Sequence, residues 1–261
     1  MSAGGAFKPR ILGMICNWCC YGGADLCGVS RFQYPPFIRL IRVMCSARVD
    51  LAHILLAFST GQDAMFVGGC HLDDCHYITN GNYDALSVVT IARKLLEHIG
   101  VNPERLRLEW VSAGEGIRFA NIMNEFAKQV EEMGPLGKSE GVDRETLRSR
   151  LDAVIKLVPY IKLVQTERLR APRSLRVPGE QEERYRRFFE SEEVKKIFKE
   201  TILDKLEIAR ILSLLRKGPL TTGEIAQGLG LTPSEVSKLL STSSRHRLVR
   251  YDESRKQYVI A

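Results

Sequence analysis

Five of this chain's seven cysteines close an apolar run or stand just beyond one, in three groups. Ile11-Leu-Gly-Met-Ile leads into Cys16-Asn-Trp-Cys19, residues 38–44 lead into Cys45, and Ala64-Met-Phe-Val-Gly-Gly leads into Cys70-His-Leu-Asp-Asp-Cys75. Four thiolates satisfy either a tetrahedral zinc ion or a [2Fe–2S] centre, and a Cys-x-x-Cys pair alone also serves dithiol redox chemistry. Spacing does not separate these. Trp18 inside the first pair and Val67-Gly-Gly before the second suggest a group pressed against apolar surface and close backbone. Shielding and N–H donation to sulfur tune an iron–sulfur cluster more than they serve zinc. That favours iron–sulfur and leaves zinc open.

The remaining polar residues nearby add less. A Rieske-type centre would use two histidines on one iron. With enough thiols present, His71 and His76 read instead as rim histidines bonded to a backbone group or a neighbouring carboxylate. Asp73 and Asp74 read as caps of the following segment. Cys27, among small residues, reads as a buried apolar side chain, and Cys20 reads either way. No Ser/His/Asp grouping, phosphate-binding glycine loop or dinucleotide fingerprint stands out.

These cysteines need elements that bring them together. Short apolar runs separated by helix-length stretches read as buried strands of a parallel sheet. In such a sheet the carboxyl ends share one edge, where ligands bind, so cysteines distant in sequence would meet on one rim. Residues 21–33, 51–58, 83–99 and 117–133 read as the intervening helices, with Asp50 an N-cap, and residues 106–111 as a fourth strand. The alternation predicts an α/β fold, a four-stranded parallel sheet with helices on its faces, over residues 8–133. Strand order is left open.

Residues 134–204 read as a helical connector: a linker at 134–142, a helix at 143–158 stopped by Pro159, a short helical run at 160–169, a flexible Pro- and Arg-rich stretch at 170–179, then one charged helix reaching about 203. Residues 205–261 carry three short helices and a hairpin, the pattern of a winged helix–turn–helix domain. Thr232 and Pro233 open its third, recognition helix. Ser234, Ser237, Lys238 and Ser241 are its groove-facing positions.

The chain has 261 residues, 44% of them hydrophobic, enough for one ordinary domain and a smaller one. No apolar stretch reaches the ~18 residues of a membrane span, and the first ten residues lack the apolar core of a secretory signal. A cytoplasmic protein is expected, without membrane contact. In a reducing compartment, clustered cysteines point to metal or redox chemistry rather than to disulfides. The net charge of +7 suggests an acidic partner surface or nucleic acid. Residues 205–261 hold ten Lys/Arg against five Asp/Glu, so the excess belongs mainly there.

Cys16-Asn-Trp-Cys19, Tyr21-x-Gly23-Ala-Asp-Leu, Arg31-x-Gln-Tyr-Pro-Pro36, Arg42-Val-Met-Cys45, Gly69-Cys70-His-x-x-Asp-Cys75-His-Tyr and Leu106-Arg-Leu-Glu-Trp110, in that order, resemble the delta subunit of methyl-viologen-reducing (F420-non-reducing) hydrogenase. The resemblance covers about residues 8–133. It implies a [2Fe–2S] electron-transfer subunit, without catalysis of its own, between a hydrogenase or formate dehydrogenase and the flavin-containing subunit of heterodisulfide reductase. The family's five recurrent cysteines fall on Cys16, Cys19, Cys45, Cys70 and Cys75. A carrier docks through its cluster rim, which makes Trp18, Tyr21, Tyr34 and Tyr77 candidate contact residues. The alternative is a redox- or metal-responsive transcription factor that binds DNA through the winged domain.

Overall fold

The computed structural model describes residues 7–77 and 80–261. Most of the first ten residues, read above for a secretory signal, lie outside them. Among the described residues no helix is long and apolar enough to cross a membrane. The chain divides into two compact units. One runs to Val158 and includes residues 170–189; the other takes residues 159–169 and 190–261. The stretch read as a connector is thus shared between them.

The first unit holds a sheet of β1 (Ile11–Cys16), β2 (Ile38–Val43), β3 (Ala64–Gly69) and β4 (Leu106–Trp110). All pairings are parallel and the order is β2-β1-β3-β4. Composition explains which strands lie at the edges. Every residue of β3 is buried and β1 is uncharged, whereas β2 carries Arg39 and Arg42 and β4 carries Arg107 and Glu109. Charged side chains are tolerated at the sheet's edges, and apolar runs take its centre.

Helices α1 (Cys19–Val29) and α4 (Gly116–Met133) pack together, and so do α2 (Leu51–Ser59) and α3 (Gly81–His98). Phe66, Phe119, Phe126 and Met123 fill the core with Ile11 and Ile15. Asp50 caps α2 as expected, accepting from Ala52 N–H at 2.6 Å. Gly68 serves close approach, since a Cβ there would stand 2.4 Å from Cys20 Sγ.

Three expectations need correction. Residues 134–142 are no free linker: Arg105, fully buried, donates to Glu140 at 2.5 Å and to Gly134 O at 3.0 Å. Pro159 does not divide two helices, because α5 (Arg144–Glu167) runs through it. Leu147, Leu151, Val154, Val158, Ile161 and Val164 are all buried. That unbroken helical stripe offsets the one hydrogen bond the proline removes. The long charged helix breaks at Ser191, which leaves helical geometry to cap the next turn. It forms α6 (Gln181–Glu190), α7 (Glu192–Phe198) and a π-helical turn, Lys199–Leu203.

The second unit contains the winged pattern: α8 (Asp204–Leu215), α9 (Thr222–Leu229), α10 (Pro233–Arg245), β5 (Val249–Asp252) and β6 (Gln257–Ile260). Ile211, Ile225, Val236 and Leu240 form its core. Thr221–Glu224 and Thr232–Glu235 are reciprocal capping boxes. Gly230, left-handed at φ 70°, makes the turn between α9 and α10.

Candidate metal centre

Strand order decides which cysteines meet. The chain leaves β1 for β2 on one side, and β3 for β4 on the other. The crevice between the carboxyl ends of β1 and β3 is therefore the switch point, the ligand site of open α/β sheets. Cys16 ends β1 and Cys70 follows β3, and their Sγ atoms lie 3.6 Å apart. Two thiolates bound at ~2.3 Å to one tetrahedral ion would stand about 3.8 Å apart. This pair fits.

The start of α1 points at the same place. Trp18 provides no side-chain cap, and the N–H of Cys20 donates to Cys16 Sγ at 3.3 Å. The helix therefore begins two residues earlier than the sequence suggested, with a sulfur acting as its cap. A helix N-terminus favours a thiolate. The Cys16 thiol is drawn down to about 6, first by the hydrogen bond from Cys70 and then by backbone N–H groups, against the effect of burial. Cys70 is pushed the other way, because it is the partner that keeps the proton and because it is buried.

Cys19 also reaches Cys70, and burial raises its thiol. Cys45, two residues past β2, neighbours Cys75, and burial pushes it up to about 11. The rim thus gathers Cys16, Cys19 and Cys70 on one side and Cys45 with Cys75 on the other. The two groups are close enough for Cys75 to act on Cys19 and Cys16 on Cys45. As placed they do not close into a cage. Among the described residues no three Cys, His, Asp or Glu side chains are grouped to hold an ion. The donor set fits a thiolate-bound iron group in type and number, and Cys16 with Cys70 fits it in spacing. Protons on the raised thiols must leave when a cation binds.

Residues between the strands fix this rim. Gly81 and Asn82 open α3, with Asn80 just before it. Buried Asn82 donates from Nδ2 to the carbonyls of Cys70 at 2.8 Å and His71 at 2.7 Å. Gly81 takes φ 46°, and a Cβ there would stand 2.5 Å from Cys75 Sγ. His71 is bonded by Nε2 to Glu115 at 2.7 Å, the carboxylate contact expected for a rim histidine. Glu115 also accepts from the N–H of Ser112 at 2.7 Å. These two contacts, the backbone one first, hold its carboxyl at about 2. What they contribute to stability is complete above the ordinary carboxylate range and is lost as pH falls through about 2. Glu115 went unremarked in the sequence, although it follows β4 and so stands on the same edge.

His76 stacks on Trp18 with ring centroids 4.0 Å apart. Trp18 is 41% exposed and Tyr77 40%. Tyr21 lies under the Arg42 guanidinium. Tyr34 packs edge-on against Phe119, so that residue serves the core. Cys20 and Cys27 are fully buried. Cys27 donates to Phe32 O at 3.5 Å within its own helix–loop junction.

In the second unit Ser234, Ser237, Lys238 and Ser241 all face outwards on α10. Arg245, Arg247, Arg250, Arg255 and Lys256 are exposed as well.

Fold and rim together define a class: a parallel α/β domain with thiols gathered at its switch point, followed in the chain by a winged helix–turn–helix. Residues 11–134 match the family described as methyl-viologen-reducing hydrogenase, delta subunit. The iron–sulfur subunit of the F420-non-reducing hydrogenase of Archaeoglobus profundus is 46% identical over 129 residues, 49% of this chain and 93% of that protein. The corresponding iron–sulfur subunit of the vhc F420-non-reducing hydrogenase of Methanococcus voltae is 46% identical over 138 residues, 53% of this chain and 95% of that protein. The chain belongs to this delta-subunit family. It also matches one component of the ferredoxin/F420H2-dependent CoB-CoM heterodisulfide reductase of Methanosarcina acetivorans, at 50% identity over 129 residues. There the match spans 49% of this chain but only 16% of the relative's length. Residues 209–242 match the family described as bacterial regulatory protein, arsR family.

Proposed function

We propose that the chain is a one-electron carrier whose thiol rim holds a [2Fe–2S] cluster, with ligands drawn from Cys16, Cys19, Cys45, Cys70 and Cys75. The observation that carries this reading is the 3.6 Å approach of Cys16 and Cys70 at the switch point, with three further thiols on the same rim. When bound, such a group supplies a reversible one-electron couple. The protein's own residues do the rest. The N–H of Cys20 stabilises negative charge on Cys16 sulfur, Asn82 fixes the backbone of Cys70, and the Trp18–His76 stack covers the rim. Electrons come from a hydrogenase or formate dehydrogenase and pass to a flavin-containing partner of heterodisulfide reductase type. Exposed Trp18 and Tyr77, beside Cys19 and Cys75, form the contact surface.

Iron and acid-labile sulfide analysis of anaerobically purified protein tests this directly. About two of each per chain is expected, with visible absorption bleached on reduction. Stoichiometric zinc without iron would overturn it.

The arsR-type match favours a second role, DNA binding by the winged unit. Five exposed cations at phosphates give a salt slope of about −4.5, so affinity should drop about 500-fold between 50 and 200 mM salt. A regulator should also hold one sequence at least ~1,000-fold more tightly than random duplex. A gel-shift series on the full chain with genomic fragments measures both. Absence of any sequence preference leaves the winged unit as a protein-docking module.

A further inference from the structure

The loop from Cys70 to Cys75 is held by residues far along the chain. Its apex, Asp73, sits in the left-handed region at φ 68°, a conformation disfavoured for a residue with a Cβ. Both carboxylate oxygens are engaged. Oδ1 accepts from Tyr83 OH at 2.6 Å, and Oδ2 accepts from Gln181 Nε2. Gln181, only 7% exposed, opens α6. The next residue, Glu182, accepts from Trp110 Nε1 at the end of β4. One turn on, buried Tyr185 packs on Tyr83 at 5.5 Å, and Arg176 lies over the same Tyr83 ring at 4.1 Å. Residues 170–189 thus belong to the first unit, although the stretches on either side of them belong to the second. They also lie outside the family match, which ends at residue 134.

We propose that residues 170–189 are a strap that restrains the Cys70–Cys75 loop and that comes loose when the group bound at the rim is lost. The proposal rests on the metal-centre reading above and adds a regulatory device to it. Its physics is linkage. If strap docking favours the loop conformation that binds the group, then binding favours strap docking by the same factor. The two states are a docked and an undocked strap, and Asp73 is the joint. Without a ligand to retain Cys70 and Cys75, the strained apex has one reason fewer to keep its conformation, and the Gln181 contact depends on that conformation.

Hydrogen exchange on the anaerobic full chain, as purified and after iron removal by a chelator, is the test. Peptides covering residues 181–189 should exchange at least about tenfold faster in the stripped protein, while β1 and β3 are unchanged. The reverse arm uses Gln181→Ala, whose iron should be withdrawn by the chelator about tenfold faster at an unchanged thermal midpoint. A purely structural strap would move neither readout. Equal exchange in loaded and stripped protein would overturn the proposal while leaving the metal reading intact. Protein that takes up no iron, seen first in the iron analysis, would overturn both.

Discussion

A Cys70→Ser variant is expected to lose at least about 99% of its iron affinity, and with it the EPR signal of the reduced state. Loss of even an outer-shell partner costs a metal site 10- to 100-fold, and a ligand costs more. Cys70 touches both Cys16 and Cys19, and Asn82 fixes its backbone. Cys16→Ser should behave alike, since it removes the sulfur that caps α1 as well as a proposed ligand. Cys27→Ser is the control. It lies inside the α1 junction and should keep both iron and signal. Iron per chain and EPR of the dithionite-reduced proteins measure all three. Full retention of the cluster in Cys70→Ser would exclude Cys70 from the ligands and leave Cys16, Cys19, Cys45 and Cys75 as the remaining set.

The second large effect is structural. Arg105 is fully buried, and its guanidinium donates to Glu140, Ser139 and the carbonyls of Asp63 and Gly134. Burial pushes the Glu140 carboxyl up, but Arg105 more than offsets this and leaves it below its ordinary range. Arg105→Ala would strand that carboxylate and several carbonyls in the interior. Removing one partner of a buried pair costs about 3–5 kcal/mol, which lowers the melting temperature of a unit this size by roughly 6–20 °C. Arg105→Met combined with Glu140→Leu should recover much of the loss, because no unpaired charge remains. Thermal unfolding followed by circular dichroism decides it. A single Arg105→Ala variant as stable as the wild type would mean that the pair is solvated and adds nothing.

The alternation of apolar runs with helix-length stretches made the parallel sheet legible, and strand ends marked the rim. The order of the strands was not legible: the charges on β2 and β4 mark edge strands, but nothing in them says which central strand each one joins. Nor could it be read which sulfur faces which. That depends on loop backbone, such as Gly81 at φ 46° beneath Cys75, for which the sequence offers only Asn-Gly. The strap was hidden for a different reason. Gln-Glu-Glu-Arg-Tyr-Arg-Arg-Phe-Phe-Glu looks solvated throughout, and only Tyr185 and Phe189, one helical turn apart, hint at a buried face. Pro159 misled because a local rule lost to a long stripe of buried side chains.

The β2-β1-β3-β4 order also sets a timetable for synthesis. Cys16, Cys19 and Cys45 leave the ribosome first, and β1 with β2 can pair at once. Cys70 arrives about 25 residues after Cys45, just past the strand that must slot against the opposite side of β1. At 5–20 residues per second the nascent chain exposes an incomplete set of thiols, from Cys16 until Cys75 emerges, for roughly three to twelve seconds. During that interval the unfinished rim meets whatever metals and oxidants surround the ribosome, so on the proposed iron–sulfur reading delivery of iron has to wait for the third strand.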